Sequence, residues 1–216
     1  MRQLFYIFLL FLVTLKGYAQ GDHLEPTRGL SGSQGILAES HDQVFSLLYA
    51  GMKVKPYARY TSLPSFEKEY AFSVEQLADS CFIISNSLSE NYWYAGNKME
   101  VKVISKKIKI DERLFQLIGD LFSLVTAQIR RPEQETMTSD GVKHERVSVD
   151  GVIYYFAFTD LKGKVLIGEK WSPVETSLMG RLVKVCDKLY SLSIGKDLSL
   201  PVLESELIKL TKDIKE

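Results

Sequence analysis

The chain has 216 residues, of which 45% are hydrophobic and 11% aromatic, and this composition is typical of a globular protein with a sizeable core. Its 27 basic and 27 acidic residues give a formal net charge of zero. This balance provides no electrostatic field of one sign, which argues against nucleic acid as a partner.

Residues 1–19 have the form of a signal peptide. A short cationic start is followed by an apolar run from Leu4 to Leu15, and the small residues Gly17 and Ala19 precede the predicted cleavage site. The run is shorter than the roughly 20 residues that a membrane-spanning helix needs, and an uncleaved anchor is the alternative. The leader resembles those of exported proteins from Gram-negative bacteria. We therefore predict an exported protein, periplasmic or extracellular, with no membrane insertion after cleavage.

The composition changes after the leader. Residues 20–36 are rich in glycine, serine, proline and charge, which predicts a flexible linker before a single domain over residues 37–216. A capping box that begins at Ser40 predicts a helix ending near Gly51. Residues 53–60 are ambiguous, and Pro56 favours an edge strand or a loop.

A second capping box begins at Ser73 and opens a segment that fits two structures. Apolar residues recur at steps of three and four, as on one stripe of a helix: Val74, Leu77, Cys81, Ile84 and Leu88. The alternative is a strand over residues 81–85, because isoleucines are adjacent there. We favour a helix over residues 73–89.

The segment from Met99 to Ile110 alternates as a strand does, but its apolar phase slips between Val103 and Ile108. A bulge near Ser105 would restore the register. Next, Asp111 is placed to cap a helix that runs to about residue 130 and carries a broad apolar face. A polar loop over residues 133–143 follows, and its length indicates mobility.

Three strands are predicted next, and they are joined by turns at residues 150–151 and 160–163. They cover residues 144–149, 152–158 and 164–171. The serine, proline and glutamate at Ser172, Pro173 and Glu175 predict the start of a helix that ends near Gly195. Pro201 begins a last amphipathic helix.

These elements predict an α+β fold, in which an antiparallel meander of three to four strands is packed by amphipathic helices, possibly on both faces. The strand over residues 152–158 is apolar on both of its faces, so a second layer must cover it. We predict that the helices at 40–51 and 73–89 do so. If they pack elsewhere, the exposed face around Tyr155 becomes the binding surface.

Export permits a disulfide between the two cysteines, Cys81 and Cys186. We favour two buried thiols, because each cysteine falls on the apolar stripe of a predicted helix. The motifs of zinc sites, nucleotide-binding loops and α/β-hydrolases are absent from the sequence. We therefore expect no metal and no cofactor.

The best candidates for an interaction surface are the consecutive aromatic residues Tyr92, Trp93 and Tyr94, together with Tyr155 and Trp171. We predict a non-enzymatic binding protein whose partner is an envelope protein or a glycan. The alternative is a carboxylate-dependent hydrolase of envelope or extracellular polymers. It would require two or more of these acids in one pocket: Glu67, Glu69, Glu133, Glu135 and Glu145.

Overall fold

The computed structural model describes residues 22–27, 36–131 and 150–216. Its strands are β1 (Glu25–Pro26), β2 (Ala58–Pro64), β3 (Tyr70–Leu77), β4 (Ser80–Leu88), β5 (Val103–Ile110), β6 (Val152–Thr159) and β7 (Val165–Trp171). Its helices are α1 (Ile36–Leu48), α2 (Glu112–Ala127), α3 (Leu178–Ser193) and α4 (Leu200–Lys215), with a 3-10 turn at Lys98–Glu100. Within these described ranges, no helix is long and apolar enough to cross a membrane.

The described strands form one antiparallel sheet in the order β1-β7-β6-β2-β3-β4-β5. The predicted α+β class with an antiparallel sheet is therefore confirmed. The predicted count of three to four strands is wrong, since seven strands are described. The predicted strand at 144–149 and the loop at 133–143 lie outside the described residues.

Most of the additional strands come from residues 58–88. The predicted helix over 73–89 is wrong, because this segment is the β3–β4 hairpin, with a two-residue turn at Ala78 and Asp79. Both faces of the hairpin are largely buried, so apolar residues occur on both faces and no clean alternation is visible. With apolar residues on both faces of the two strands, Val74, Cys81 and Leu88 fall at helical spacing by chance.

Strand β2 also differs from the sequence prediction. It begins two residues after Pro56 and lies in the middle of the sheet, between β3 and β6. The proline carbonyl accepts a hydrogen bond of 2.6 Å from the Thr159 hydroxyl, so Pro56 ends the incoming loop and does not interrupt a ladder.

The predicted bulge in β5 is also wrong. The β4–β5 register is continuous from Cys81↔Ile110 to Leu88↔Val103. The phase slip has another cause, because Met99 lies in the 3-10 turn and Val101 in the connection that follows it. Only the residues from Val103 onward belong to the strand.

Four helix starts were predicted from capping signals, and one is correct. Ser40 lies inside α1, which begins at Ile36, and Ser73 lies in β3. The Asp111 carboxylate accepts a hydrogen bond of 2.7 Å from the Leu114 amide and caps α2. By contrast, α3 begins only at Leu178, where Ser177 provides the cap. The hydroxyl of Ser172 instead accepts a hydrogen bond of 2.9 Å from the Val152 amide and joins the ends of β6 and β7.

Both faces of the sheet are covered. Helices α2 and α3 pack on the face that contains Tyr60, Phe72 and Phe156, and α4 packs across these two helices. Helix α1 lies on the opposite face, which we call the second face, where Phe45 meets the Tyr155 ring edge-to-face at 5.3 Å. The predicted cover by the helix at 40–51 is therefore confirmed, whereas no helix exists at 73–89 to contribute.

A buried asparagine attaches α1 to the second face. The side-chain amide of Asn86, in β4, donates hydrogen bonds of 2.8 and 2.9 Å to the carbonyls of Leu48 and Ala50. Its side-chain oxygen accepts a hydrogen bond of 2.6 Å from the Ser105 hydroxyl. The last carbonyls of a helix have no partner within the helix, so Asn86 satisfies the buried carbonyl of Leu48 and also binds the carbonyl of Ala50 in the turn that follows.

We expect Asn86→Ala to lower the free energy of unfolding by about 2 kcal/mol or more, because it leaves the buried Leu48 carbonyl without a donor and removes the acceptor of the Ser105 hydroxyl. Urea denaturation measures the change. The matched control is Asn97→Ala, which removes an exposed amide that caps only the 3-10 turn and should cost about 1 kcal/mol or less. Equal losses in the two variants would contradict the anchoring role of Asn86.

Candidate functional site

A cleft of about 300 Å³ lies on the second face. Its walls are the end of α1, the segment that leads to β2, and strands β2, β6 and β7. The lining is mostly apolar: Phe45, Met52, Val54, Pro56, Ala157, Val165 and Ile167. The polar side chains of the lining are Tyr49, Lys53, Arg59, Thr61 and Tyr155.

Local backbone geometry creates the space. Helix α1 ends at Leu48, and Gly51 (φ 75°) turns the chain, a conformation that glycine adopts without strain. The chain then passes over the sheet before it enters β2. Beneath it, the small side chain of Ala157 lies two residues from the large ring of Tyr155 on the same face of β6, so the floor of the cleft is uneven.

Arg59 is the charged residue most deeply placed in this cleft, with 6% of its surface exposed. Its guanidinium carbon lies 4.3 Å from the centroid of the Tyr49 ring, a cation–π contact. Its Nη2 donates to the Lys53 carbonyl. Among the described residues, no acceptor is bonded to its Nε, and no carboxylate lies within ion-pairing distance of it. Burial lowers the pKa of Arg59, but an arginine remains charged at neutral pH.

One acidic residue lies close to this cation. Glu75 is buried on the same face of β3, and its carboxylate accepts a hydrogen bond of 2.8 Å from the Lys53 amide. The Lys53 ammonium donates in turn to the carbonyl of Gln76, at 2.6 Å. The negative charge of Glu75 favours the protonated form of Arg59. Glu75 therefore acts on Arg59 at a distance, without an ion pair between the two side chains.

The two tyrosines of the cleft are neutral. The Tyr49 hydroxyl is within 2.9 Å of the Thr61 hydroxyl, and burial raises the pKa of Tyr49. Burial also raises the pKa of Tyr155, with a smaller contribution from Glu169. The cleft therefore combines apolar walls, neutral hydroxyls and one buried cation. This combination is suited to binding an amphipathic molecule.

The predicted aromatic residues separate into two locations. Tyr155 is buried in the floor of the cleft, and Tyr92 is buried beside α1, where its hydroxyl bonds to Gln43. Trp93 and Tyr94, in contrast, are 48% and 60% exposed. The sequence segment 92–94 is therefore not a continuous surface.

A third exposed ring, that of Phe66, lies beside these two residues, and the sequence did not indicate it. It is 64% exposed, and its ring stacks on Tyr94 with centroids 5.8 Å apart. The Lys98 ammonium lies 5.4 Å from the Trp93 ring. We call Phe66, Trp93 and Tyr94 the aromatic patch. Trp171 is 38% exposed at the end of β7.

Asn91 holds the aromatic patch in place. Its side-chain amide donates to the Glu67 carbonyl at 2.6 Å, and its side-chain oxygen accepts from the amides of Trp93 and Tyr94. These bonds join the segment after β4 to the segment after β2. The patch is therefore built from two connections at the same end of the sheet.

The acids considered for a hydrolase do not assemble into a pocket in the described part of the chain. Glu67 is exposed, whereas Glu69 is buried and accepts a hydrogen bond of 3.1 Å from the Tyr92 amide. Burial raises the pKa of Glu69. Glu133, Glu135 and Glu145 lie outside the described residues, and the lining of the cleft contains no acid.

A second polar cluster lies on the opposite face of the sheet. The Asp187 carboxylate, on α3, accepts hydrogen bonds of 2.8 and 2.7 Å from the hydroxyls of Tyr60 and Tyr70. Burial raises the pKa of Asp187, and these two hydrogen bonds oppose the rise. The cluster fixes α3 to β2 and β3, which is a structural role.

Both cysteines are buried as free thiols. Cys81 lies in β4, not in a helix, and Cys186 lies in α3. Burial raises the pKa of both thiols, which lowers their reactivity. The alternative, a Cys81–Cys186 disulfide, is tested by the intact mass before and after reduction.

Fold and site together define an α+β protein with helices on both faces of its sheet. A cleft with a mostly apolar lining and a few polar groups lies beneath α1. No protein-family model matches the chain, and no curated protein or solved structure is significantly similar to it. In the described ranges, no group of three histidine, cysteine, aspartate or glutamate side chains is placed to hold a metal ion.

The sequence analysis did not identify Arg59 as a candidate site residue, although its position in the sequence contains an indication. It stands between Ala58 and Tyr60 in a short segment that is now seen to be a central strand. A charged residue in a strand covered on both faces is buried, and a buried charge is a candidate for function. The error in assigning residues 53–60 to an edge or a loop concealed that signal.

Proposed function

We propose that this chain is an exported, non-enzymatic binding protein that holds a small, largely apolar ligand in the cleft beneath α1. The observation that carries the proposal is the cleft of about 300 Å³ with apolar walls and a few polar groups. Such a composition is usual for small-molecule sites, in which apolar contacts supply affinity and a few polar groups fix orientation. Export is supported by the signal-peptide form of residues 1–19.

The position of the cleft supports the same proposal. Helix α1 covers Tyr155 but leaves the neighbouring floor around Ala157 and Ile167 open to the cleft. Val165 and Ile167 are only partly buried there, and their further burial by a ligand would be favourable by about 25 cal/mol for each Å² removed from water.

A second candidate is the binding of an envelope protein or a glycan by the aromatic patch. The observation that favours it is the exposure of Trp93 and Tyr94 in a segment held rigid by Asn91. Exposed aromatic rings are enriched in protein interfaces, and a rigid ring face is suited to stacking on an apolar surface. The hydrolase alternative gains no support of this kind, because its acids are dispersed or lie outside the described residues.

We expect Ala157→Phe to abolish most ligand binding, because the larger ring would occupy the floor of the cleft. Titration with a neutral, polarity-sensitive dye, followed by fluorescence, should show an affinity at least about tenfold lower than that of the unaltered protein. The matched control is Leu161→Phe, which adds the same ring at a fully exposed position in the turn after β6.

The control variant should bind the dye as the unaltered protein does. Far-ultraviolet circular dichroism confirms that both variants are folded. If Ala157→Phe is folded and binds the dye with unchanged affinity, the cleft is not the ligand site. If the unaltered protein does not bind the dye, the proposed function is contradicted.

For the second candidate, we expect Trp93→Ala to weaken recovery of a partner from the envelope fraction, or binding to cell-wall polymers, without loss of thermal stability. Ile208→Ala is the matched control, since Ile208 in α4 is 47% exposed, close to the 48% of Trp93. Equal binding by both variants would remove the aromatic patch from consideration.

A further inference from the structure

We propose that the ligand of the cleft is a monocarboxylate with an apolar body, and that Arg59 binds its carboxylate. This inference rests on the proposed function and adds the chemical class of the ligand. Its basis is a buried guanidinium that the described residues leave largely unsatisfied.

The hydrogen-bonding inventory of Arg59 leads to this conclusion. A guanidinium has five N–H donors, and only Nη2 is bonded to a described residue, the Lys53 carbonyl. The Nε N–H is buried without a partner. A buried charge normally has an ion pair and filled hydrogen bonds, because desolvation without them is costly. An acceptor group that enters the cleft would supply what is missing.

Charge and shape select a carboxylate. Glu75 accepts a hydrogen bond from the Lys53 amide and forms no ion pair with Arg59, so the guanidinium has no direct counter-ion among the described residues. The planar guanidinium presents parallel N–H groups that match the two oxygens of a carboxylate. The ring of Tyr49, against one face of Arg59, holds the guanidinium plane in position.

The apolar lining selects the rest of the ligand. With about 300 Å³, the cleft has room for a ligand on the order of ten non-hydrogen atoms, if one water volume of about 30 Å³ is taken for each. Val165, Ile167 and Met52 would contact an aliphatic chain or a single aromatic ring of this size. Octanoate is a suitable probe, and octanol is its neutral counterpart.

The test compares both probes by calorimetric titration of the purified protein and of two variants. The unaltered protein should bind octanoate more tightly than octanol. Arg59→Met, which keeps an apolar side chain of similar length, should weaken octanoate binding roughly tenfold to a hundredfold and leave octanol binding unchanged. Lys102→Met is the matched control, since Lys102 is an exposed cation before β5 and lies outside the lining of the cleft, and it should change octanoate binding little.

The outcomes separate this inference from the proposed function. If octanol binds as tightly as octanoate, the carboxylate inference is overturned, while cleft binding stands. The same holds if Lys102→Met weakens octanoate binding as much as Arg59→Met does. If neither probe binds, both the carboxylate inference and the proposed function fail.

A spectroscopic readout keeps the test valid if Arg59→Met does not fold. In the unaltered protein, the side-chain N–H resonances of Arg59 should shift on addition of octanoate and stay in place with octanol. Arginine resonances that do not move with bound octanoate would overturn the inference.

Discussion

The whole arrangement depends on the burial of both faces of one sheet. Strand β6 is apolar on both sides, so folding requires a layer on each. Three amphipathic helices of the described chain, α2, α3 and α4, supply one layer. Among the described residues, the other layer is helix α1 with the segment that follows it, and these leave a cleft on the second face. The cleft is the part of that face that α1 leaves uncovered.

The two faces of the sheet also differ in chemistry. The face toward α2 and α3 is filled mainly by large apolar and aromatic side chains, including Tyr60, Phe72 and Phe156. The second face carries Arg59, Glu75 and Asn86, all of them buried. Polar groups at such positions cost stability unless they are satisfied. The side chain of Asn86 is satisfied by its hydrogen bonds to the end of α1, and the carboxylate of Glu75 by its hydrogen bond from the Lys53 amide. Arg59 is satisfied only in part, which marks it as the group available for a ligand.

The sequence predicted the fold class and several elements, and the failures have a common physical cause. Helix α2 and strands β6 and β7 were found because capping, turn residues and apolar runs agree there. The central hairpin was missed because a strand buried on both faces loses its alternation, so that Ser73 and its neighbours imitated a helix cap. The start of α3 was misplaced because Ser172 completes a strand pairing, a use that depends on tertiary structure.

The candidate site was predicted only in part, for the same reason. Tyr155 was identified from the apolar second face of β6, and it does lie in the cleft. Arg59 and Tyr49 come from other elements, and their approach depends on the order of the strands and on the path of the chain after α1. Sequence periodicity carries no information about strand order. The aromatic run at 92–94 was divided because Tyr92 turns inward beneath α1, a contact that a linear pattern does not reveal.

The most direct measurement is a ¹⁵N–¹H chemical-shift map of the protein titrated with octanoate. If the cleft is the binding site, the largest amide shifts will fall on β2, β6 and β7 around Arg59 and Ala157, with smaller ones at the end of α1. Shifts confined to Trp93 and Tyr94, or an unchanged spectrum at saturating octanoate, would contradict the account.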